Sequence, residues 1–204
     1  MNNKSEIYID YVDDQRDQEL NEYLKIFEKE NEAINVKYNF IEYNTEEGYQ
    51  SLIESEKIKQ SDIILLDYKL FTDDTINGNH KIYGNDILII LKSLYPYKKI
   101  ILIAQSNEEL ESVIEKYNDQ NSFEDPDSYY RSELGKRLEW YCKEIRDIKS
   151  TLKQFNNKSD TYDDVIKSIV DLNSDSYSTS KIPSEEDIDN LVELFKEMVK
   201  NENS

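Results

Sequence analysis

Apolar and polar positions along the chain fall into two alternating rhythms. Ile7-Tyr8-Ile9-Asp10-Tyr11-Val12 is β-branched and aromatic and stops at Asp13-Asp14, which predicts a buried strand. Leu20, Tyr23, Leu24 and Phe27 then recur at helical spacing, with charges on the opposite face. Val36-Lys37-Tyr38-Asn39-Phe40-Ile41 predicts a second strand. Asn44-Thr45-Glu46-Glu47 predicts a helix start, with Asn44 or Thr45 as cap and acids in the first turn. Tyr49, Leu52 and Ile53 supply that helix's apolar side. Asp62-Ile63-Ile64-Leu65-Leu66-Asp67 is the clearest strand: consecutive apolar residues imply burial on both faces, as in a parallel sheet.

The alternation continues. Residues 71–83 are polar and turn-rich, a loop. A helix is predicted over 86–94, with Ile87, Leu88, Leu91 and Leu94 inward and Pro96 ending it. Lys99-Ile100-Ile101-Leu102-Ile103-Ala104 is another buried strand. Leu110, Val113, Ile114 and Tyr117 predict a helix over 107–117. Asp125-Pro126 marks a turn, and Tyr129-Tyr130 is the candidate fifth strand. From Ser132 a long helix carries Leu134, Leu138, Tyr141, Cys142, Ile145, Ile148, Leu152 and Phe155 inward, until Asn156-Asn157-Lys158-Ser159 interrupts it. A short helix over 162–172 and a Ser-rich stretch over 173–183 follow. Ser184-Glu185-Glu186-Asp187 opens a last helix with Ile188, Leu191, Val192, Phe195, Met198 and Val199 on one face.

This order predicts the α/β class: a flavodoxin-like, doubly wound, five-stranded parallel sheet with a C-terminal helical extension. The division expected is an α/β domain over 1–150 and a helical extension over 151–204. A length of 204 residues suits one domain plus a modest appendage. Gly 4 and Pro 3 are too few for an all-β sandwich.

Charge narrows the function classes. A net charge of −19 repels phosphate backbones, so direct nucleic-acid binding is not expected. No apolar run approaches the ~18 residues that would span a membrane, and no signal peptide opens the chain, so the expected compartment is the cytoplasm. Cys142 is the only cysteine and sits at an apolar helical position, a buried thiol. His80 is the only histidine and lies in a polar insertion, which excludes His/Cys zinc sites and histidine-based triads.

The candidate chemistry is carboxylate chemistry. Strands one and three of such a sheet are neighbours at the switch point, so Asp13, Asp14 and Asp67 would share one small pocket at the strands' carboxyl ends. Crowded carboxylates raise one another's pKa. A hard divalent cation such as Mg²⁺ relieves this and leaves one carboxylate as a nucleophile. The plainer alternative is that Asp13 or Asp14 caps the first helix.

Three segments carry a specific resemblance. Val12-Asp13-Asp14-Gln15 resembles the acidic pair of bacterial response-regulator receiver domains. Asp62 to Leu70 resembles their phosphoacceptor strand, and Gly84-Asn85-Asp86 the glycine before their third helix. The similarity covers about residues 6–150. It implies that Asp67 accepts a phosphoryl group from a histidine kinase or phosphotransfer protein. It also implies a Mg²⁺ site formed by Asp13, Asp14, Asp67 and the backbone carbonyl of Lys69. The family's strand-four Thr or Ser has no match at Ile103; Ser106 is the nearest candidate switch hydroxyl. The family's lysine after strand five is matched best by Arg131, an arginine that would contact the phosphoryl group in its place. The implied function is a cytoplasmic signalling protein acting through protein contacts; a homodimer is compatible with it and not required. Two alternatives stand beside it: a phosphorylation-independent pseudo-receiver adaptor, and a Mg²⁺-dependent phosphohydrolase with an aspartate nucleophile.

Overall fold

In a computed structural model, the described residues are 6–44, 47–70, 84–105, 113–119 and 123–156, with side chains described to 151. The strands are β1 (Ile7–Asp13), β2 (Val36–Glu42), β3 (Ile63–Asp67), β4 (Lys99–Ala104) and β5 (Val113–Glu115). The helices are α1 (Gln18–Glu30), α2 (Gly48–Glu54), α3 (Glu56–Gln60), α4 (Gly84–Leu94), α5 (Pro126–Tyr130) and α6 (Lys136–Asn156). A π-helical turn, Arg131–Gly135, joins the last two. The strands form one sheet in the order β2-β1-β3-β4-β5, every pair parallel. This is the expected flavodoxin-like, doubly wound architecture with a C-terminal helix.

The apolar strand runs are explained by burial on two faces. Ile64 and Leu66 of β3 enter one core with Leu52 of α2, Ile58 of α3 and Leu91 of α4. Ile63 and Leu65 enter the other, with Leu24 of α1 and Leu138 and Cys142 of α6. All five β3 residues are buried. Each such Leu or Ile contributes about 1.5–3 kcal/mol on leaving water, so β3 anchors both layers and fixes the position of Asp67 at its end. Among the described residues, no helix is long and apolar enough to cross a membrane.

Three expectations are corrected. Residues 113–115 are strand β5, not the end of a helix. Val113 and Ile114 fit helical spacing with Leu110 and Tyr117, but pairing of Val113, Ile114 and Glu115 with Leu102, Ile103 and Ala104 overrides that pattern. Tyr129-Tyr130 is not a strand but the end of α5. Asp125 caps that helix by accepting from the Ser128 N–H at 3.0 Å, and Pro126 takes its first turn. The Asp-Pro pair is therefore a helix start rather than a simple turn. Neither Asp13 nor Asp14 caps α1; Asp17 does, accepting from the Leu20 N–H at 2.8 Å.

Smaller differences follow the same logic. Helix α2 opens at Gly48, whose φ of 73° is the left-handed turn that glycine favours, and without a side-chain cap from its N-cap residue. Thr45 lies outside the described residues. So do the loop over 71–83 with His80, Ser106, and the predicted elements beyond 156. In α4, Ile87, Ile90 and Leu91 are buried while Leu88 and Leu94 are only partly so.

Candidate active site

The carboxyl ends of β1 and β3 hold Asp13 and Asp67, both buried. Between them sits a residue the sequence reading missed. Lys116, the first residue after β5, places its Nζ 2.8 Å from Asp13 Oδ2 and 2.7 Å from Asp67 Oδ1. One ammonium thus bridges the ends of two adjacent strands.

Each member is held by its neighbours. The Tyr11 hydroxyl donates to Asp13 Oδ2, and the Gln15 N–H donates to Asp13 Oδ1 at 3.2 Å. The Lys69 N–H donates to Asp67 Oδ2 at 2.9 Å. Lys116 is fixed on three sides: its own N–H donates to the Ala104 carbonyl at 2.6 Å. The Tyr129 hydroxyl donates to the Glu115 carbonyl at 3.0 Å, and the Tyr117 N–H donates to the Tyr130 hydroxyl at 2.9 Å. Helix α5 therefore pins the residues on either side of Lys116. Gly84 closes the floor: a Cβ there would lie 2.9 Å from Tyr68 Cα and 3.1 Å from the Asp67 carbonyl oxygen. Only glycine lets α4 begin this close to the end of β3.

The electrostatics are those of a site with surplus negative charge. Burial pushes the Asp67 carboxyl above its ordinary range, and Lys116 pulls it partly back. Asp14 is exposed at the rim; partial desolvation and the adjacent Asp13 carboxyl raise it too. Burial opposes the Lys116 charge, yet Asp67 and Asp13 outweigh it and raise the lysine above its usual value. The surplus carboxylate charge acts in this direction on Asp67, Asp14 and Lys116, because a proton on any of the three relieves the excess. Burial also raises the Tyr11 hydroxyl far above its ordinary value, assisted by Asp13, so it remains a donor.

The resemblance implies Mg²⁺ among these carboxylates. All candidate ligands are hard oxygens, and Asp13, Asp14 and Asp67 against Lys116 leave the charge that a divalent ion would neutralise. In kind and charge the residues fit. In position they do not yet converge: among the described residues, no group of three or more His, Cys, Asp or Glu side chains is placed to hold a metal. In this arrangement Lys116 supplies the positive charge between two of them.

Arg131 is corrected as a site residue. It lies in the π-helical turn, exposed, with Nη1 and Nη2 paired to Glu30 at 2.9 and 3.1 Å and Nη2 to Asp127 at 3.3 Å. It is bound to α1 and α5 on the helical layer because the fifth strand lies earlier in the chain than expected. Ile103 is fully buried and pairs with Asp67 across the β3–β4 ladder; neither it nor the following Ala104 and Gln105 carries a hydroxyl. A depression of about 390 Å³ opens beside Lys116, lined by Asp17, Gln105, Tyr117 and Asn118 among others. Glu19 and Asp119 line it too, so with Asp17 its mouth is acidic.

Comparison with models of known protein families, with curated proteins and with solved structures finds no match. The architecture and the site therefore stand on their own geometry.

Proposed function

We propose that this chain is a receiver-like signalling protein in which Asp67 accepts a phosphoryl group and the change is read out through protein contacts. The observation that carries this reading is the Lys116 bridge between Asp13 and Asp67 at the switch point of a parallel sheet. A lysine directly after strand five, close to Asp13 and a strand-three aspartate, supports this reading where Arg131 does not.

The chemistry follows from the named atoms. An Asp67 carboxylate oxygen attacks phosphorus, the bond from phosphorus to the donor's leaving atom breaks, and an acyl phosphate forms. The donor class is a phosphohistidine of a kinase or phosphotransfer protein, or a small acyl phosphate. Modification at Oδ1 ends the 2.7 Å contact with Lys116 and gives the ammonium a phosphoryl oxygen instead. The Lys69 N–H stays on the opposite carboxylate oxygen and orients the group. As placed, Asp13, Asp14 and Asp67 do not converge on a metal; they would hold Mg²⁺ only once Lys116 leaves Asp13 and Asp67, and the ion would then neutralise charge on the transferring phosphoryl group.

A second reading is favoured by one observation: β4 ends in Ile103 and Ala104, with no hydroxyl at its described end. A phosphorylation-independent adaptor, locked by the Lys116 bridge, fits that feature. Incubation with acetyl phosphate and Mg²⁺, followed by intact-mass measurement, separates the two. The proposal expects one phosphoryl adduct, lost in Asp67→Asn and in chelator. No adduct, with no Mg²⁺ binding by calorimetry, would leave the adaptor; steady release of phosphate from an ester would indicate a hydrolase instead.

A further inference from the structure

Away from the carboxylate site, β2 forms one outer edge of the sheet and, among the described residues, pairs only with β1. Two hydrogen bonds fix the phase of its backbone. The Ile7 N–H donates to the Asn35 carbonyl at 3.0 Å, and the Tyr43 N–H donates to the Asp13 carbonyl at 2.9 Å. Backbone groups of a strand alternate sides, so the odd-numbered residues from 35 to 43 face β1. The N–H and C=O groups of Val36, Tyr38, Phe40 and Glu42 face outward. No described residue hydrogen-bonds to them.

That edge carries two charged residues, Lys37 and Glu42, but neither a proline nor a bulge. Its seven residues form an unbroken, one-to-one register with β1. A groove of about 580 Å³ runs along it, walled by Arg16 and Lys25 on the α1 side and by Lys57 and Gln60 on the α3 side. The Arg16 guanidinium lies 4.4 Å from the centre of the Phe40 ring, over the edge strand itself. Asp10 and Glu28 also line the groove. The Asp10 carboxylate is buried and already accepts from Asn39 Nδ2 at 2.9 Å and from the Ser61 hydroxyl. Three cations thus gather on one edge of a chain whose net charge is −19.

We propose that the outer edge of β2 receives an extended, acidic peptide segment of another protein, added to the sheet as a further strand. The outward row of donors and acceptors supplies the main-chain recognition, as in other strand-addition complexes. Arg16, Lys25 and Lys57 select acidic side chains on both faces of the added strand. A second copy of this chain is a poorer occupant, because pairing β2 with β2 would bring two sets of these cations together.

The test uses the full chain and a short dye-labelled peptide that alternates glutamate with valine. Fluorescence anisotropy should show binding about tenfold tighter than for a lysine-for-glutamate counterpart. The double variant Lys25→Glu, Lys57→Glu should reverse that preference, and N-methylation of the peptide's alternate amides should abolish binding. Hydrogen exchange at Tyr38, Phe40 and Glu42 should be fast in the free chain and at least about tenfold slower with peptide. Equal binding of both peptides, or binding indifferent to N-methylation, overturns the proposal. So does protection of those three amides before peptide is added: concentration-dependent protection would identify a second copy as the occupant. Concentration-independent protection would identify the chain's own acidic run at Glu185-Glu186-Asp187.

Discussion

Replacing Lys116 by methionine keeps most of its aliphatic length and removes the one cation between two buried carboxylates. Its side chain is 10 % exposed, with Asp13 at 2 % and Asp67 at 9 %. Both bridged oxygens lie within 2.8 Å of Nζ, so they are at most about 5.5 Å apart. At an effective dielectric near 20 their mutual repulsion is at least about 3 kcal/mol. Removing one partner of a buried ionic cluster costs about 3–5 kcal/mol by precedent. The two estimates agree, and a loss of about 3 kcal/mol is expected in urea unfolding near pH 7.5. The loss must depend on pH. Without Lys116 the Asp67 carboxyl loses the charge that pulls it back and rises further, and an acid whose folded pKa is raised destabilises progressively above its unfolded pKa and in full above the folded one. The deficit should therefore shrink as pH falls toward the ordinary carboxylate range, where one carboxyl takes up a proton. Adding Asp67→Asn to Lys116→Met should restore most of the stability, since only Asp13 then remains charged. A loss below about 1 kcal/mol that is flat with pH, or a double variant no better than the single one, would refute the bridge as an energetic element.

Other consequences are as direct. In the native chain the raised Lys116 means that the bridge's contribution is full below the ordinary lysine range and is lost as pH rises through the higher folded value; alkaline unfolding should come earlier in wild type than its stability near neutrality suggests. Gly84→Ala should cost about 1–3 kcal/mol by thermal unfolding, because the new methyl meets Tyr68 Cα and the Asp67 carbonyl. The same variant should slow adduct formation on Asp67. Arg131→Ala should leave the urea midpoint nearly unchanged and adduct formation untouched, since its ion pairs are exposed and away from the site. Cys142 is buried, with its thiol pushed up to about 12, so thiol reagents should label it only at the rate of unfolding.

The parallel sheet was legible because β1, β3 and β4 are apolar on both faces, a pattern that short helices and exposed strands do not produce. The acidic half of the site was legible for a related reason: Asp13 and Asp67 end those strands where the apolar run breaks. Lys116 was not legible. Its strand is three residues long, and Val113 and Ile114 satisfy a helical spacing as well as a strand. Only the pairing with Leu102–Ala104, a long-range contact, decides between them. A signal was present nonetheless: two β-branched residues, an acid and then a lysine, some ten residues after β4. Reading Asp125-Pro126 as a turn instead of a capped helix start displaced the fifth strand to Tyr129-Tyr130 and took the phosphoryl contact to Arg131. Those two tyrosines matter all the same, because their hydroxyls hold the backbone on both sides of Lys116.

The most direct test of the account is the position of the phosphoryl group. After incubation with acetyl phosphate and Mg²⁺, borohydride reduction converts an acyl phosphate on aspartate to homoserine, and peptide mapping reads where. The account predicts the mass change at Asp67 alone, diminished in Lys116→Met and absent from Asp67→Asn. A change at Asp13 or Asp14 instead, or no change in the native chain under conditions that bind Mg²⁺, would contradict it.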